Sequence, residues 1–316
     1  MEKLIVVAIG GNSLVDDPND QTVAAQYAAC RKTVAHLVPL LQRGHRLLIA
    51  HGNGPQVGFI LRRAELARHE LHMVPLDSCV ADTQGAIGYN LQMAFQNELK
   101  RGGIDRSVAT IVTQVEVAAD DPSWQNPSKP IGSFMTEEDA QRHSRQDGWI
   151  VREDAGRGWR RVVPSPAPRA VIEIDAIRTL LEHDTVVIAA GGGGIPVYVD
   201  ESRQIRGAEA VIDKDHAASL LARSLEAEYF VISTAVDRVA IHFNTPQQKW
   251  LDELSIADAE RYLAEGHFAA GSMKPKVEAM LAYIKAGGGR GVITDPQHLT
   301  AAIKGEAGTR FQSAAR

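Results

Sequence analysis

Two hydrophobic periods alternate along the chain. Leu4–Ile9 is an unbroken apolar run rich in β-branched residues, the pattern of a strand buried on both faces, and it runs directly into Gly10-Gly11-Asn12-Ser13. Residues 22–43 then carry Val23, Tyr27, Val34, Leu37, Val38 and Leu41 at helical spacing. Residues 46–50 predict a second strand, closed by His51-Gly52-Asn53-Gly54-Pro55, and residues 56–69 and 81–100 predict helices. Further strands are expected at 107–113, 185–190, 229–234 and 291–294. Helices are expected at 172–181, 215–225, 255–264, 275–286 and 297–303. Strand and helix alternating in this way predict an α/β fold, with helices on both faces of a mostly parallel sheet. Ligands of such sheets sit at the C-terminal ends of the strands. Three of those ends are glycine-rich: Gly10-Gly11, Gly52-Asn53-Gly54 and Gly191-Gly192-Gly193-Gly194.

Residues 120–168 break the rhythm. They hold six of the 14 prolines, three of the four tryptophans and the basic run Arg157-Gly158-Trp159-Arg160-Arg161, with poor helical periodicity. The segment reads as an excursion from the sheet, either a small protruding subdomain or a long ordered loop. No internal repeat or low-complexity segment is present.

Composition adds boundaries. A 316-residue chain with 44% hydrophobic and 23% charged residues is an ordinary globular composition, large enough for two lobes. A net charge of −5 gives no general attraction to nucleic acid or anionic membrane, so any cationic site is local. Cys30 and Cys79 are far apart and lack metal-ligand spacing, and are expected to be thiols in a reducing cytoplasm. The start of the chain is too short and wrongly flanked for a secretory signal. No apolar stretch approaches the roughly 20 residues of a membrane helix.

The chemistry concentrates in the glycine turns and in three lysines. Glycine lets backbone N–H groups converge on an anion, and a following helix adds its own N–H groups. One such turn is as readily structural; three on one sheet edge form an anion-friendly floor. G-x-G-x-x-G opening a first βαβ unit and G-x-x-x-x-G-K-[ST] are both absent. Lys214 sits between Asp213 and Asp215 at the start of a predicted helix, and is either a site residue or a surface charge pair. Lys276 falls in the first turn of another helix, after the expected N-cap Ser272 and beside Pro275. A cation there opposes the helix dipole by roughly 0.3–1 kcal/mol, which makes sense if an anion occupies that end. Lys129 is flanked by Pro127 and Pro130, which preset its backbone. Phosphoryl transfer needs this inventory: positioning, and compact cations against spread negative charge. Mg²⁺ bridging nucleotide phosphates needs few protein ligands, so none is expected to be visible. Asp237 follows a predicted strand and either touches a nucleotide or serves a turn. No serine-hydrolase elbow or clustered histidine motif appears.

The stretches AIGGNSL, AHGNGPQVG, DTQGAIGY, NPSKPIG, GWRRVVPSPAP, GGGGIPV, AVIDKDHAA and GSMKPKVEA span nearly the whole chain in one order. On them the chain resembles the carbamate kinases of the amino acid kinase family. The resemblance implies an open αβα sandwich of two lobes, with residues 1–226 holding carbamate or carbamoyl phosphate and residues 227–316 holding ATP or ADP with Mg²⁺. A subdomain near residues 127–161 would reach over the substrate, and the protein would be a cytoplasmic homodimer acting on small molecules. Lys129, Lys214 and Lys276 would stabilise the transferring phosphoryl group, with Asp215 ordering the lysines. Gly10, Gly11, Asn12, Gly52, Asn53 and Gly54 would line the substrate pocket. Lys214, Thr234, Val236, Asp237, Met273 and Lys276 would contact the nucleotide. Where relatives in the wider family carry a lysine two residues before Gly-Gly, this chain has Ala8, and Lys129 would supply the charge instead. Cys79-Val80-Ala81-Asp82-Thr83-Gln84-Gly85 departs from the family's CGA-x-SQG, with Val80 for glycine and Thr83 for serine, which leaves open a kinase for another small carboxylate or a catalytically inactive, nucleotide-binding regulatory paralogue.

Overall fold

Leu4–Ile9 is buried along its whole length because alternate residues enter two different cores. Ile5, Val7 and Ile9 meet helices Val23–Gln42 and Leu76–Arg101 on one face of the sheet. Leu4, Val6 and Ala8 meet helices Lys214–Ser224 and Met273–Lys285 on the other. The computed structural model describes residues 2–14, 20–154 and 158–312, apart from the side chains of Asn12, Ser13 and Ser133.

Among the described residues, the central sheet has eight strands. Their order is Glu253–Ser255, Thr309–Gln312, Arg290–Thr294, Tyr229–Ser233, Leu4–Ile9, Arg46–His51, Val186–Ile188 and Val108–Thr110. All neighbours pair in parallel except Arg290–Thr294 with Thr309–Gln312, so the predicted αβα arrangement around a mostly parallel sheet holds. The sheet runs without a break across residue 226, since Ile5–Ile9 register directly with Tyr229–Ser233. Parallel pairing puts the three glycine turns and Thr234 side by side on one edge.

Several predicted elements shift. Residues 107–113 were expected as one strand, but pairing in the central sheet ends at Thr110. Gln114–Val117 joins a separate four-stranded sheet with Pro168–Val171, Ile195–Val199 and Ile205–Gly207. The helix expected over 81–100 begins at Leu76, directly after its N-cap residue Pro75, because Leu76, Cys79 and Val80 are buried in a third core with Val57, Ile131 and Val211. The helix expected at 172–181 starts at Ile174. Cys30 and Cys79 are buried free thiols, and burial pushes both up to about 12.

The excursion is ordered. Lys129–Met135 and Val151–Glu153 pair antiparallel with Trp159–Val163 on either side. Helix Glu137–Asp147 lies between the first two of these strands in sequence. It is polar on nearly every face and buries only Ala140, so hydrophobic spacing carried no signal for it. Arg157, from the basic run, lies outside the described residues.

Candidate functional site

The glycine turns make the floor by close backbone approach. A Cβ on Gly52 would fall 2.9 Å from the Gly11 backbone nitrogen and 3.3 Å from the stem of Lys214. One on Gly192, where φ is +69°, would fall 2.1 Å from the Asn53 side-chain nitrogen. Gly10 and Gly11 stand at the end of Leu4–Ile9, with Asn12 following in the 3-10 turn Gly11–Leu14. The Asn12 side chain lies outside the described set. Helix Leu76–Arg101 braces this floor from behind. Gln84 Nε2 donates to the Thr113 and Gly191 carbonyls at 3.1 and 3.0 Å, and its Oε1 accepts the Thr113 N–H at 2.8 Å. His51 Nδ1 donates to the Gly52 carbonyl at 3.0 Å, and complete burial brings this imidazole down to about 4, so it is neutral at pH 7.

The lysines converge on two aspartates. Asp215 is 2% exposed and accepts Lys214 Nζ at 2.5 Å on one oxygen and Lys276 Nζ at 3.1 Å on the other. Asp213 caps helix Lys214–Ser224 by accepting the Asp215 N–H at 2.9 Å, while its other oxygen accepts Lys129 Nζ at 2.7 Å. Lys129 arrives on the first residue of strand Lys129–Met135, paired to Val163. The chain therefore brings all three lysines and Asp215 together, and three ammonium groups face two carboxylates.

Burial pulls the Lys214 ammonium below its ordinary value; Asp215 pushes it back up and neighbouring Lys276 pulls it down. Burial alone would raise the Asp213 carboxyl. Lys129, by charge and hydrogen bond, reverses this with help from Lys214 and His216, and holds it well below the usual carboxylate range. Ser272 does occupy the N-cap of Met273–Lys285, but it makes no side-chain cap hydrogen bond, contrary to its expected capping role. Its backbone there is far from the extended conformation of a capping residue (φ −138°, ψ −90°), which takes the hydroxyl off the helix N–H groups. Lys274 turns away, 3.8 Å from Glu278.

Three adjoining cavities run past this cluster. The first, about 340 Å³, is lined by Gly11, Gly52, Asn53, Gly54, Lys129 and Asp213, together with Lys214 and Lys276. The second, about 600 Å³, shares Gly11, Lys214 and Lys276 with it and adds Gly10 and Thr234. The third, about 460 Å³, shares Thr234 and continues over Val236, His242, Trp250 and Met273. Lys214 and Lys276 thus stand where the first two meet. Asp237 lies between two lining residues in sequence, with its carboxylate paired to Arg238 at 3.2 Å.

Two residues of this site escaped the sequence reading. Asp213 was visible only as a neighbour of Lys214, and its partner Lys129 is 84 positions away. Arg160 lines the first cavity, with its Nε buried and without a hydrogen-bond partner among the described residues. The basic run around Trp159 was the signal that could have found it.

Glycine turns on a parallel sheet, half-buried lysines and joined cavities define an α/β protein with an anion-binding edge. Residues 3–295 match the model of the amino acid kinase family, and the chain belongs to that family. Within it, the chain is 47% identical to the carbamate kinase-like protein YahI of Escherichia coli K12, over 98% of this chain and 99% of that one. It is 46% identical to a carbamate kinase of Clostridium perfringens, over 97% and 99% of the two chains. The structure of a carbamate kinase from Giardia lamblia bound to AMP-PNP superposes with a TM-score of 0.92 at 37% identity, covering 99% of each chain.

Proposed function

We propose that this protein is a carbamate kinase, transferring a phosphoryl group reversibly between ATP and carbamate to give ADP and carbamoyl phosphate. The carrying observation is the pair Lys214 and Lys276, both fixed on buried Asp215, at the junction of two cavities. A carbamate oxygen in the first cavity attacks the terminal phosphorus, the bond to the ADP oxygen breaks, and the charge in flight lies between the lysines. Lys129 reaches the same space from the protruding segment. In this reading residues 1–226 form the acceptor lobe. Residues 227–316 form the nucleotide lobe, with Thr234, Val236 and Met273 at the base and ribose and Asp237 beside them. Gly10, Gly11, Asn12, Gly52, Asn53 and Gly54 cradle the acceptor and the transferring group.

Mg²⁺ would enter on the nucleotide phosphates and neutralise their charge. Asp213 and Asp215 already hold lysines, so water and phosphate oxygens suit it best as ligands. Among the described residues no helix is long and apolar enough to cross a membrane. The enzyme is proposed to work as a cytoplasmic homodimer on small molecules.

The test is to mix purified protein with Mg-ADP and carbamoyl phosphate and follow ATP. ATP formation well above the chemical background is expected, and none would overturn the reading. A second reading, a kinase for another small acid, is favoured by Val80. This residue is fully buried in one cluster with Val57, Ile131 and Val211, which line the first cavity. A panel of acids with ATP, scored by ADP release, separates the two.

A further inference from the structure

Asn53 stands at the N-cap of helix Gly54–Ala67, where an asparagine side chain ordinarily accepts a hydrogen bond from the first N–H groups of its own helix. Here that side-chain cap is not made. Pro55 has no N–H to offer, which leaves the Gln56 N–H as the target a cap would use. The carboxamide turns instead to helix Leu76–Arg101 and donates from Nδ2 to Thr83 Oγ1 at 2.8 Å. Thr83 Oγ1 in turn donates to the Val80 carbonyl at 2.8 Å. A hydroxyl has one proton. With that proton directed at Val80, only lone pairs face Asn53, so the carboxamide must present its NH₂ to Thr83 and its oxygen elsewhere. The same nitrogen packs against the backbone of Gly192, closely enough to exclude a Cβ there. Asn53 and Gly192 line the first cavity, whereas Thr83 is 1% exposed and lies behind them.

We infer that Thr83 is a positioning residue: it fixes the rotamer and polarity of the Asn53 carboxamide in the acceptor cavity and keeps it from capping its own helix. Thr83 touches no substrate and acts through Asn53. The inference rests on the phosphoryl-transfer reading above for its kinetic consequence, though not for its geometric one. It also gives a role to one of the two positions at which this chain departs from its family's pattern, since threonine and serine share the hydroxyl the arrangement needs.

The experiment uses Thr83→Val, Thr83→Ser, Asn53→Ala and the double variant Asn53→Ala/Thr83→Val in the full chain. Thr83→Val is expected to lower kcat/KM for carbamoyl phosphate about 10- to 100-fold, with KM for ADP unchanged. Thr83→Ser should restore it. In the Asn53→Ala background, Thr83→Val should cause no further loss. Wild-type kcat/KM in Thr83→Val, or an equal further loss in the double variant, overturns the inference. A crystal structure of Thr83→Val gives an arm independent of activity: Asn53 turned toward the Gln56 N–H supports it, and Asn53 unmoved overturns it. If the unaltered protein makes no ATP, the proposed reaction fails and this crystallographic arm decides the inference by itself.

Discussion

Asp213 uses its two carboxylate oxygens for two different tasks. One caps a helix through the Asp215 N–H, and the other holds the Lys129 ammonium at 2.7 Å. Its folded-state carboxyl lies below the ordinary aspartate value of about 3.9 that the unfolded chain retains. The ionised group therefore contributes stability that is fully present above about pH 4 and is lost as pH falls through that value toward the folded pKa. Asp213→Asn should cost about 2 kcal/mol at pH 7, the range for hydrogen bonds to charged groups. At pH 3 the difference should have begun to shrink, and it should vanish only at lower pH, where the folded carboxyl itself takes up its proton. Urea unfolding at pH 7, 5 and 3 measures this, and a difference that does not shrink on acidification would count against the assignment. None of this was readable from Asp213-Lys214-Asp215 alone. The local run shows charge, and its meaning depends on a lysine that reaches it from another element.

The same divide separates legible elements from hidden ones. Leu4–Ile9 could be read because six consecutive apolar residues face two cores. Helix Met273–Lys285 could be read from Val277, Met280, Leu281 and Ile284 on its buried side. Glycine turns were legible as punctuation, and their coming together followed from parallel pairing. Helix Glu137–Asp147 was not legible, because its stability lies in its ends. Thr136 accepts the Asp139 N–H at 3.1 Å, Glu137, Glu138 and Asp139 suit the positive end of the dipole, and Gly148 closes the helix at φ +67°. Thr136→Ala should weaken this helix by about 1 kcal/mol, which makes amide exchange over residues 137–147 about fivefold faster. Exchange in the strand Tyr229–Ser233 should be unchanged. Equal acceleration in both would mean that the excursion unfolds only with the central sheet.

At the scale of the whole molecule, the net charge of −5 contrasts with a site where three lysines meet two aspartates. On the proposed function, anionic substrates would therefore be held by short-range contacts, since fields from exposed charges fade within about 8 Å at physiological salt. Those contacts come from both sides of residue 226. Gly10, Gly11 and Lys214 precede it, Thr234 and Lys276 follow it, and all five line one cavity of about 600 Å³. On the proposed function, a nucleoside diphosphate seated there would tie the two halves of the sheet together at their shared edge. ADP at 100 times its Kd should raise the unfolding free energy by about 2.7 kcal/mol. The location of the effect says more than its size. Hydrogen exchange with saturating Mg-ADP should slow at Gly10-Gly11 and in the first turn of Lys214–Ser224. It should slow equally at Thr234 and around Gly271 and Ser272. Lys276→Ala should weaken ADP binding and reduce protection on both sides together, because Lys276 shares Asp215 with Lys214. Protection confined to residues after 226 would place the phosphates elsewhere and separate the nucleotide from the lysine cluster.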